Sequence, residues 1–233
     1  TDITEGSRAT FATGMAVTNA CNELIDQMKE RAAVLRGVSV DEVTWEDGAA
    51  LVDGQDPLTI AEITAQAKMT GGPLTATASL NAAGAGPSFA AHLADVRVDE
   101  ETGQVEILRY TAAQDAGTAI HPSYVEGQMQ GGSVQGIGWA LNEEYIFSSD
   151  GVLMNPGFLD YRIPVASDLP MIETIIVEVP NPSHPYGVRG VGETGIVPPM
   201  ATIGNAIKAA TGVRMTSLPM SPPKVLKALG DAR

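Results

Sequence analysis

A single glutamate in a glycine-rich stretch is the strongest candidate for chemistry in this sequence. Glu193 lies between Gly192 and Thr194-Gly195, and it is the only carboxylate in residues 186–199. Small neighbours leave its side chain open to a reactant, and a carboxylate that can reach a reacting proton is suited to act as a general base. A carboxylate in the loop before a helix has the same spacing, so the spacing alone leaves both interpretations open.

A second candidate is a short segment near the beginning of the sequence. Gly6-Ser7-Arg8-Ala9-Thr10 precedes a predicted helix and offers hydroxyl groups, a glycine and backbone N–H groups. Because the N-terminus of a helix favours negative charge, such a segment is suited to an oxyanion or a phosphate. Capping of the helix by Ser7, Thr10 or Thr13 explains the same residues, and the segment taken alone favours this capping.

The third candidate is a glycine-rich stretch at residues 127–138. Gly127 and Gly131 are spaced four apart, as are Gly132 and Gly136, so a helix there would have a face without side chains. Each such glycine costs up to about 1 kcal/mol relative to alanine, and we therefore predict close packing against another element for most of them. Two side-chain amides in this stretch can donate to and accept from a polar ligand: Gln128 and Gln135.

Other catalytic motifs are absent from the sequence. It contains no phosphate-binding G-x-x-x-x-G-K-[ST] motif and no G-x-G-x-x-G after a predicted strand. Residues 131–135 approach the nucleophile-elbow pattern but lack its closing glycine. His92, His121 and His184 are scattered without metal-ligand spacing, so each is interpreted as a surface or satisfied core residue.

Composition excludes several classes of protein. With 14 Lys and Arg against 28 Asp and Glu, the net charge is −14, so we expect neither a nucleic-acid partner nor attraction to anionic lipids. A single cysteine, Cys21, excludes an intrachain disulfide and a cysteine-rich metal site. The longest apolar runs fall short of the roughly 20 residues that span a bilayer, and residues 1–8 are too polar for a signal peptide. We therefore expect a cytoplasmic protein without a membrane span.

The balance of residue types also suggests an incomplete surface. Glycine accounts for 25 of 233 residues and aromatic residues for only 5%. Aromatic side chains bury large areas, and their scarcity makes a free-standing domain harder to stabilise. We therefore expect another chain to complete part of the surface.

The elements that must position these candidates follow from periodicity and turn residues. Strand hairpins dominate over regular βαβ alternation, which predicts an α+β fold with mixed or antiparallel sheets and packed helices. No linker marks a boundary, so residues 1–233 are expected to form one domain. The predicted helices span residues 14–35, 58–69, 121–141, 198–210 and 222–229. The predicted single strands span residues 74–80 and 172–179, and two brief strands are predicted within 43–52. Two hairpins are predicted, one of residues 89–98 with 104–110 and one of 144–147 with 152–154. Residues 180–192 are predicted to be a loop.

The order and spacing of these blocks resemble the end of the molybdenum-binding subunit of the xanthine dehydrogenase/aldehyde oxidase family. The resemblance covers nearly the whole chain, and one departure is Thr194-Gly195, where many relatives have two prolines. It rests on residues 6–17, Gln114-Asp115-Ala116-Gly117 with His121-Pro122, residues 127–138, Gly190-Val191-Gly192-Glu193, residues 205–208 and residues 218–222.

The resemblance implies a molybdopterin-binding domain and roles for individual residues. Glu193 corresponds to the glutamate beside molybdenum, where it would take a proton during hydroxylation of an aldehyde or an N-heteroaromatic ring with oxygen from water. No side chain is implied as a direct metal ligand, although Glu193 and Gly6 are expected near the molybdenum. The residues implied to contact the cofactor are Gly6, Ser7, Arg8, Ala9, Thr10, Gln128, Val191 and Gly192.

The resemblance also implies cofactors and partners. The cofactor would be molybdenum–molybdopterin, in bacteria often the cytosine dinucleotide form, and electrons would leave through the pterin towards [2Fe-2S] clusters. The iron–sulfur subunit, the flavin (FAD) subunit and the rest of the molybdenum subunit would be partners, so this multi-subunit oxidoreductase would be active only when assembled. Two alternatives stay open. One is a carbon monoxide dehydrogenase molybdenum subunit, although Cys21 does not resemble the copper-binding cysteine of such subunits. The other is a non-catalytic assembly subunit.

Overall fold

The computed structural model of the protein describes residues 3–80, 87–184 and 186–232. These residues form two compact units, a smaller one of residues 12–80 and a larger one of residues 3–11 with 87–232. Each unit has its own hydrophobic core. No helix in the described part of the chain is long and apolar enough to cross a bilayer.

The smaller unit packs helices against a three-stranded antiparallel sheet. Its core side chains are small, with Ala32, Ala33, Val43, Ala50 and Ile63 buried. The helices are α1 (Gly14–Arg36), α2 (Ile60–Ala65) and α3 (Ala67–Thr70), and the strands are β1 (Thr44–Glu46), β2 (Ala49–Leu51) and β3 (Leu58–Thr59), in the order β1-β2-β3. A π-helical turn, Ala9–Thr13, precedes α1, and a 3₁₀ turn, Val40–Glu42, precedes β1.

Local sequence signals predict most of this unit correctly. The helix from Gly14 is confirmed, and it ends at Gly37, whose left-handed φ of 70° is typical of a helix C-cap. The two brief strands are also confirmed. The helix predicted at residues 58–69 begins later and is divided at Gln66 into α2 and α3. It begins later because the Thr59 side chain accepts from the Glu62 N–H and caps α2; Leu58–Thr59 pair with β2 as a strand instead.

The strand predicted at residues 74–80 is wrong. Exposed and half-buried residues do alternate there, but the segment forms no ladder. The Thr75 carbonyl accepts from the Gln27 amide at 2.8 Å rather than from a neighbouring strand. Alternation therefore predicts which side chains are covered, whereas a strand also needs a pairing partner.

The larger unit contains a three-stranded mixed sheet. Strands β4 (Phe89–Val98) and β5 (Val105–Asp115) form the predicted hairpin, in which Val98 pairs with Val105 across a turn closed by Gly103. Strand β5 continues past the predicted end at residue 110, because residues 111–115 still pair with β4 and with β6. Strand β6 (Ile172–Val177) lies parallel to β5, so the sheet order is β4-β5-β6. The strand predicted to reach residue 179 ends at Val177.

Three helices complete this unit. They are α4 (Pro122–Leu141), α5 (Pro199–Thr211) and α6 (Pro222–Asp231), which confirms the predicted helices to within two residues at each end. Their apolar faces form a core with the sheet, in which each fully buried Ile or Met contributes about 1.5–3 kcal/mol. The core includes Ile107, Tyr110, Met129, Ile137, Ile203 and Ile207. Helices packed with hairpin-based sheets make this the predicted α+β fold.

The structure contradicts the predicted hairpin at residues 144–154 and confirms the predicted loop at residues 180–192. The hairpin at residues 144–154 is wrong as a pair of strands, since it is reduced to an isolated bridge between Phe147 and Leu153. The loop at residues 180–192 is confirmed as irregular where the structure describes it; Pro185 lies outside the described residues.

The glycines of α4 divide into two groups. A Cβ built on Gly132 would lie 2.9 Å from the carbonyl carbon of Gly195, and one on Gly136 would lie 2.8 Å from Pro199. These two glycines therefore let α4 approach the segment after Glu193, as predicted for most of the stretch. A Cβ on Gly127 or Gly131 would meet no described atom within 4 Å.

Candidate active site

A cavity of about 390 Å³ in the larger unit brings the first and second candidates, the Glu193 loop and the segment of residues 6–10, together. Gly6, Ser7 and Arg8 line it from one side, and Gly190 and Glu193 line it from the loop before α5. The two segments are far apart in sequence, so their meeting is a property of the tertiary structure.

The turn Glu5–Arg8 has an unusual backbone. Gly6 and Ser7 have φ values of 59° and 52°, and the Arg8 N–H donates to the Glu5 carbonyl at 3.3 Å. Positive φ at both central residues defines a type I′ turn, which is uncommon for a residue with a Cβ such as Ser7. No acceptor among the described residues takes the N–H of Gly6 or Ser7, so both are available to a ligand.

Ser7 holds the segment that contains Glu193. The Glu193 N–H donates to Ser7 Oγ at 2.8 Å. The Ser7 hydroxyl in turn points its proton at Glu193 Oε2, at the longer distance of 3.4 Å. No described donor contacts the other carboxylate oxygen, Oε1, and the Glu193 side chain is exposed at the cavity. One oxygen is thus oriented and the other is open to a reactant.

Glycines permit the close approach of these segments. A Cβ built on Gly190 would lie 2.8 Å from Ser7 Cβ, too close for any larger residue without movement of the turn. A Cβ on Gly192 would lie 3.2 Å from Gln128 Nε2 and 3.5 Å from Ser7 Oγ. Gln128 therefore belongs to the same neighbourhood, and α4 presents its amide beside the glutamate loop.

A nearly buried ion pair fixes the loop from the other side. Arg189 Nε lies 3.0 Å from Asp115 Oδ2, with about a tenth of each side chain exposed. Arg189 also donates to the carbonyls of Val179 and Pro87, at 3.1 and 2.8 Å. Asp115 Oδ1 accepts the Gly117 N–H at 2.9 Å. Together with these further hydrogen bonds, the ion pair ties the loop to the end of β5.

Gln114 supports the residue just before the glycine–glutamate pair. Its amide Nε2 donates to the Val191 carbonyl at 3.3 Å, and its side chain is almost completely buried. The amide oxygen Oε1 is buried without a partner among the described residues. A buried acceptor of this kind is costly unless water or a ligand satisfies it.

The structure does not place every candidate residue on the cavity. Ala9 and Thr10 are exposed in the π-helical turn, and Val191 contributes its carbonyl to Gln114. Gln135 is exposed on α4. Within the described chain, the residues lining the cavity do not include Ala9, Thr10, Gln128, Gln135, Val191 or Gly192.

Sequence reasoning missed several residues at the cavity. Phe11, Ser88, Ala90, Val197 and Pro198 line it; Phe11 lies within the block 6–17 of the resemblance but was not singled out, and the other four belong to no block. Asp115 belongs to one block of the resemblance and Arg189 directly precedes another, and nothing in the sequence pairs the two. The sequence signal for this ion pair is an acidic and a basic residue, each within an otherwise apolar, glycine-containing stretch.

Comparison with known proteins identifies the family of the chain. Residues 1–170 match the family described as "Molybdopterin cofactor-binding domain". The xanthine dehydrogenase molybdenum-binding subunit of Escherichia coli O157:H7 is 35% identical over 226 residues, which cover 94% of this chain and 30% of that protein. The carbon monoxide dehydrogenase large chain of Hydrogenophaga pseudoflava is 30% identical over 98% of this chain and 30% of its own length.

A solved structure shows the same architecture. Quinoline 2-oxidoreductase from Pseudomonas putida 86 superposes with a TM-score of 0.82 at 28% identity, covering 97% of this chain and 30% of that chain. The protein thus spans about 30% of the length of the relatives it matches. Since the family match includes well over half of its residues, this chain belongs to the molybdopterin cofactor-binding domain family of molybdenum hydroxylase subunits.

Proposed function

We propose that residues 1–233 form the C-terminal cofactor-binding portion of a molybdenum hydroxylase, with Glu193 as its general base. The observation that carries the proposal is the hydrogen bond from the Glu193 N–H to Ser7 Oγ, which joins the two segments implied to surround the molybdenum. The reaction class is hydroxylation of an aldehyde or an N-heteroaromatic ring with oxygen from water. Relatives named for xanthine and quinoline support the heteroaromatic class.

The cavity suits the polar cofactor of this family. The N–H groups of Gly6 and Ser7 are available as donors, and the absence of a side chain at Gly192 leaves room beside the Gln128 amide. Gln114 Oε1 is a buried acceptor without a partner among the described residues. The described residues contain no group of three or more His, Cys, Asp or Glu that could hold a metal ion, and a metal carried by an organic cofactor needs no such group.

Each of these residues has a distinct task when the cofactor is present. When bound, the molybdenum cofactor would supply the redox chemistry. Glu193 accepts a proton at Oε1, the carboxylate oxygen that no described donor contacts. Ser7 holds the backbone of Glu193 and orients Oε2. The Gly6 and Ser7 N–H groups and the Gln128 amide bind and orient the cofactor.

Finer features of the cofactor and partners belong to the same proposal. Arg8 lines the cavity with about 40% of its side chain exposed, and its guanidinium is suited to a phosphate of the cytosine dinucleotide form. The [2Fe-2S] clusters and FAD would be on partner chains, together with the rest of the molybdenum subunit. The relatives' greater length supports a need for further polypeptide. A cytoplasmic location is also part of the proposal.

A carbon monoxide dehydrogenase subunit is the second candidate, because a protein of that name is 30% identical over 98% of this chain. The one cysteine, Cys21, is exposed in α1 and is not among the residues lining the cavity. Copper analysis of the intact complex separates the two: a stoichiometric copper content favours the second candidate, and its absence favours a hydroxylase.

The decisive experiment replaces Glu193 with glutamine in the assembled complex. The Glu193→Gln variant keeps the side-chain shape but cannot accept the proton, so turnover per molybdenum should fall by about 10²–10⁴-fold. Molybdenum content should stay equal, because the carboxylate is not proposed as a ligand. Glu30→Gln, in the exposed surface of α1, is the matched control and should retain full turnover. A Glu193→Gln complex with more than about a tenth of the wild-type rate would exclude Glu193 as the base and favour an assembly subunit.

A further inference from the structure

His184 is a buried histidine whose ring nitrogens both have partners. It lies in the loop that continues to Glu193, and only 5% of its surface is exposed. Ring atom Nε2 lies 2.8 Å from the carbonyl oxygen of Phe11, and ring atom Nδ1 lies 3.2 Å from the backbone nitrogen of Tyr186. His184, interpreted from the sequence as a surface or satisfied core residue, therefore connects two distant segments of the chain.

The partners determine the tautomer of the ring. The Tyr186 N–H can only donate, so Nδ1 must be the unprotonated acceptor. Nε2 must then bear the hydrogen, since the Phe11 carbonyl can only accept. The neutral imidazole thus works as a bridge, with one end receiving a hydrogen bond from its own loop and the other donating to the segment near residue 11.

This bridge ends on the segment that contains Ser7. Phe11 lies four residues after Ser7, and both residues line the cavity. The rings of Phe11 and His184 have centroids 4.5 Å apart, so packing adds to the hydrogen bond. At the other end of the same short segment, Ser7 Oγ accepts the Glu193 N–H. The N-terminal segment is therefore fixed to the 184–193 loop at two points, one on each side of Arg8.

We infer that His184 is a positioning residue, whose neutral imidazole fixes the Phe11 carbonyl and thereby keeps Ser7 in register with Glu193. The inference rests on the proposed function for its catalytic consequence, but the tether itself is a property of the apoprotein. Without the bridge, residues 5–11 would be held to the loop mainly through Ser7. The type I′ turn would then sample positions in which the Ser7 hydroxyl and the Glu193 N–H separate.

Two substitutions of His184 separate its hydrogen bond to Phe11 from its hydrogen bond to Tyr186. The amide nitrogen of glutamine reaches about as far as Nε2, so His184→Gln retains a donor for the Phe11 carbonyl. Asparagine is shorter, so His184→Asn retains an acceptor for the Tyr186 N–H but does not reach Phe11. A tether through Nε2 predicts that glutamine rescues what asparagine loses, whereas mere filling of the core by the ring predicts similar effects from both.

The test is backbone hydrogen exchange of the full chain in its complex, followed by mass spectrometry. His184→Asn should speed exchange in residues 5–11 by up to about tenfold, the equivalent of one hydrogen bond, and should lower turnover per molybdenum by a similar factor. His184→Gln should restore both values to near the wild type. His121→Asn, at an exposed histidine before α4, is the matched control and should change neither.

Three results would overturn the inference: unchanged exchange in residues 5–11 of His184→Asn, equal effects of asparagine and glutamine, or faster exchange throughout the larger unit in both variants. The last would assign His184 to the core rather than to the tether. Because exchange is read without turnover, the tether can stand even where Glu193→Gln retains full activity and the proposed function fails.

Discussion

The backbone N–H of Glu193 donates a hydrogen bond of 2.8 Å to Oγ of Ser7, a residue 186 positions earlier in the chain. The serine thus holds the backbone of the candidate base, while its own proton points at Oε2 of the same residue. Because Ser7 also occupies a left-handed turn, it combines two roles: it exposes backbone N–H groups to the cavity and fixes the loop opposite. These roles can be separated by mutation.

Replacing Ser7 with alanine should reduce turnover less than replacing Glu193. The variant loses the acceptor of the Glu193 N–H, an interaction worth about 0.5–1.5 kcal/mol, so we expect turnover per molybdenum to fall by up to about tenfold. Pterin content, measured on the purified complex, should fall as well. Ser7→Gly lacks the hydroxyl but relieves the positive φ, so equal losses in both variants would assign the effect to the hydroxyl. Full turnover in Ser7→Ala would contradict this role.

Replacing Gly190 with alanine should displace the Gly6–Ser7 turn. The added Cβ would lie 2.8 Å from Ser7 Cβ and 3.3 Å from the Ser7 carbonyl oxygen, so the turn must move. We expect a clear loss of pterin and molybdenum content, measured per mole of purified complex. Gly230→Ala, where an added Cβ meets nothing within 4 Å, is the control. Normal cofactor content in Gly190→Ala would show that the cofactor does not depend on this turn.

Removing the carboxylate of Asp115 should strongly destabilise the larger unit. Arg189 would be left nearly buried without its partner, which typically costs about 3–5 kcal/mol. Asp95→Ala is the matched control in the same sheet, since the Asp95–Arg109 pair is about 60% exposed and such pairs contribute about 0–1 kcal/mol. The free energy of unfolding, from urea titrations of both variants, checks this expectation. Similar losses of unfolding free energy in the Asp115 and Asp95 variants would mean that burial does not determine the strength of an ion pair here.

The half-buried His92 should make stability depend on pH. Burial lowers the pKa of His92 to about 4, below its value of about 6.5 in the unfolded chain. The unfolded state then binds more protons between these values, so the contribution of His92 to stability is complete above about pH 6.5 and decreases as the pH falls towards 4. The slope is at most about 1.4 kcal/mol per pH unit.

His92→Gln removes this titration while keeping a polar group near the Tyr110 hydroxyl, which lies 2.9 Å from His92 Nδ1. The difference between the unfolding free energies at pH 7 and pH 5 should therefore be smaller in His92→Gln than in the wild type. An equal pH dependence in both proteins would show that His92 is protonated as readily in the folded state as in the unfolded one.

Gly127 and Gly131 form a face of α4 that the described residues leave uncovered, and a substitution there tests whether another chain covers it. A Cβ on Gly131 meets no described atom, so Gly131→Ala should raise the thermal midpoint of the chain alone through helix propensity, by the equivalent of up to about 1 kcal/mol. In the assembled complex, where we expect another molecule to cover this face, the same methyl group should weaken assembly, measured by co-elution in gel filtration. Gly132→Ala, whose Cβ would lie 2.9 Å from Gly195, should destabilise both. Unimpaired assembly of Gly131→Ala would show that the face stays uncovered.

Much of the local structure follows from local sequence. Gly37 ends α1 because a glycine adopts left-handed φ without strain, and the alternating valines of β4 and β5 with a glycine turn specify their hairpin. The two strand predictions that failed lacked a local determinant. Residues 74–80 and 144–154 have alternating or turn-forming patterns, but a ladder needs a partner strand whose position depends on distant residues.

For the site, the residue types and, through the resemblance, the family follow from the sequence. The resemblance assigns Glu193, Ser7 and Gln128 to the site, because a loop carboxylate and a helix cap explain the spacing of Glu193 and Ser7 as well as a functional role does. Three contacts are visible only in the folded chain: Ser7 accepts the Glu193 N–H, Arg189 pairs with Asp115, and His184 bridges to Phe11. Each of these contacts joins residues more than 70 positions apart, and their closeness depends on how the sheet, α4 and the loop pack. No local propensity encodes such distances, because side-chain packing and backbone hydrogen bonding across the whole unit determine them together.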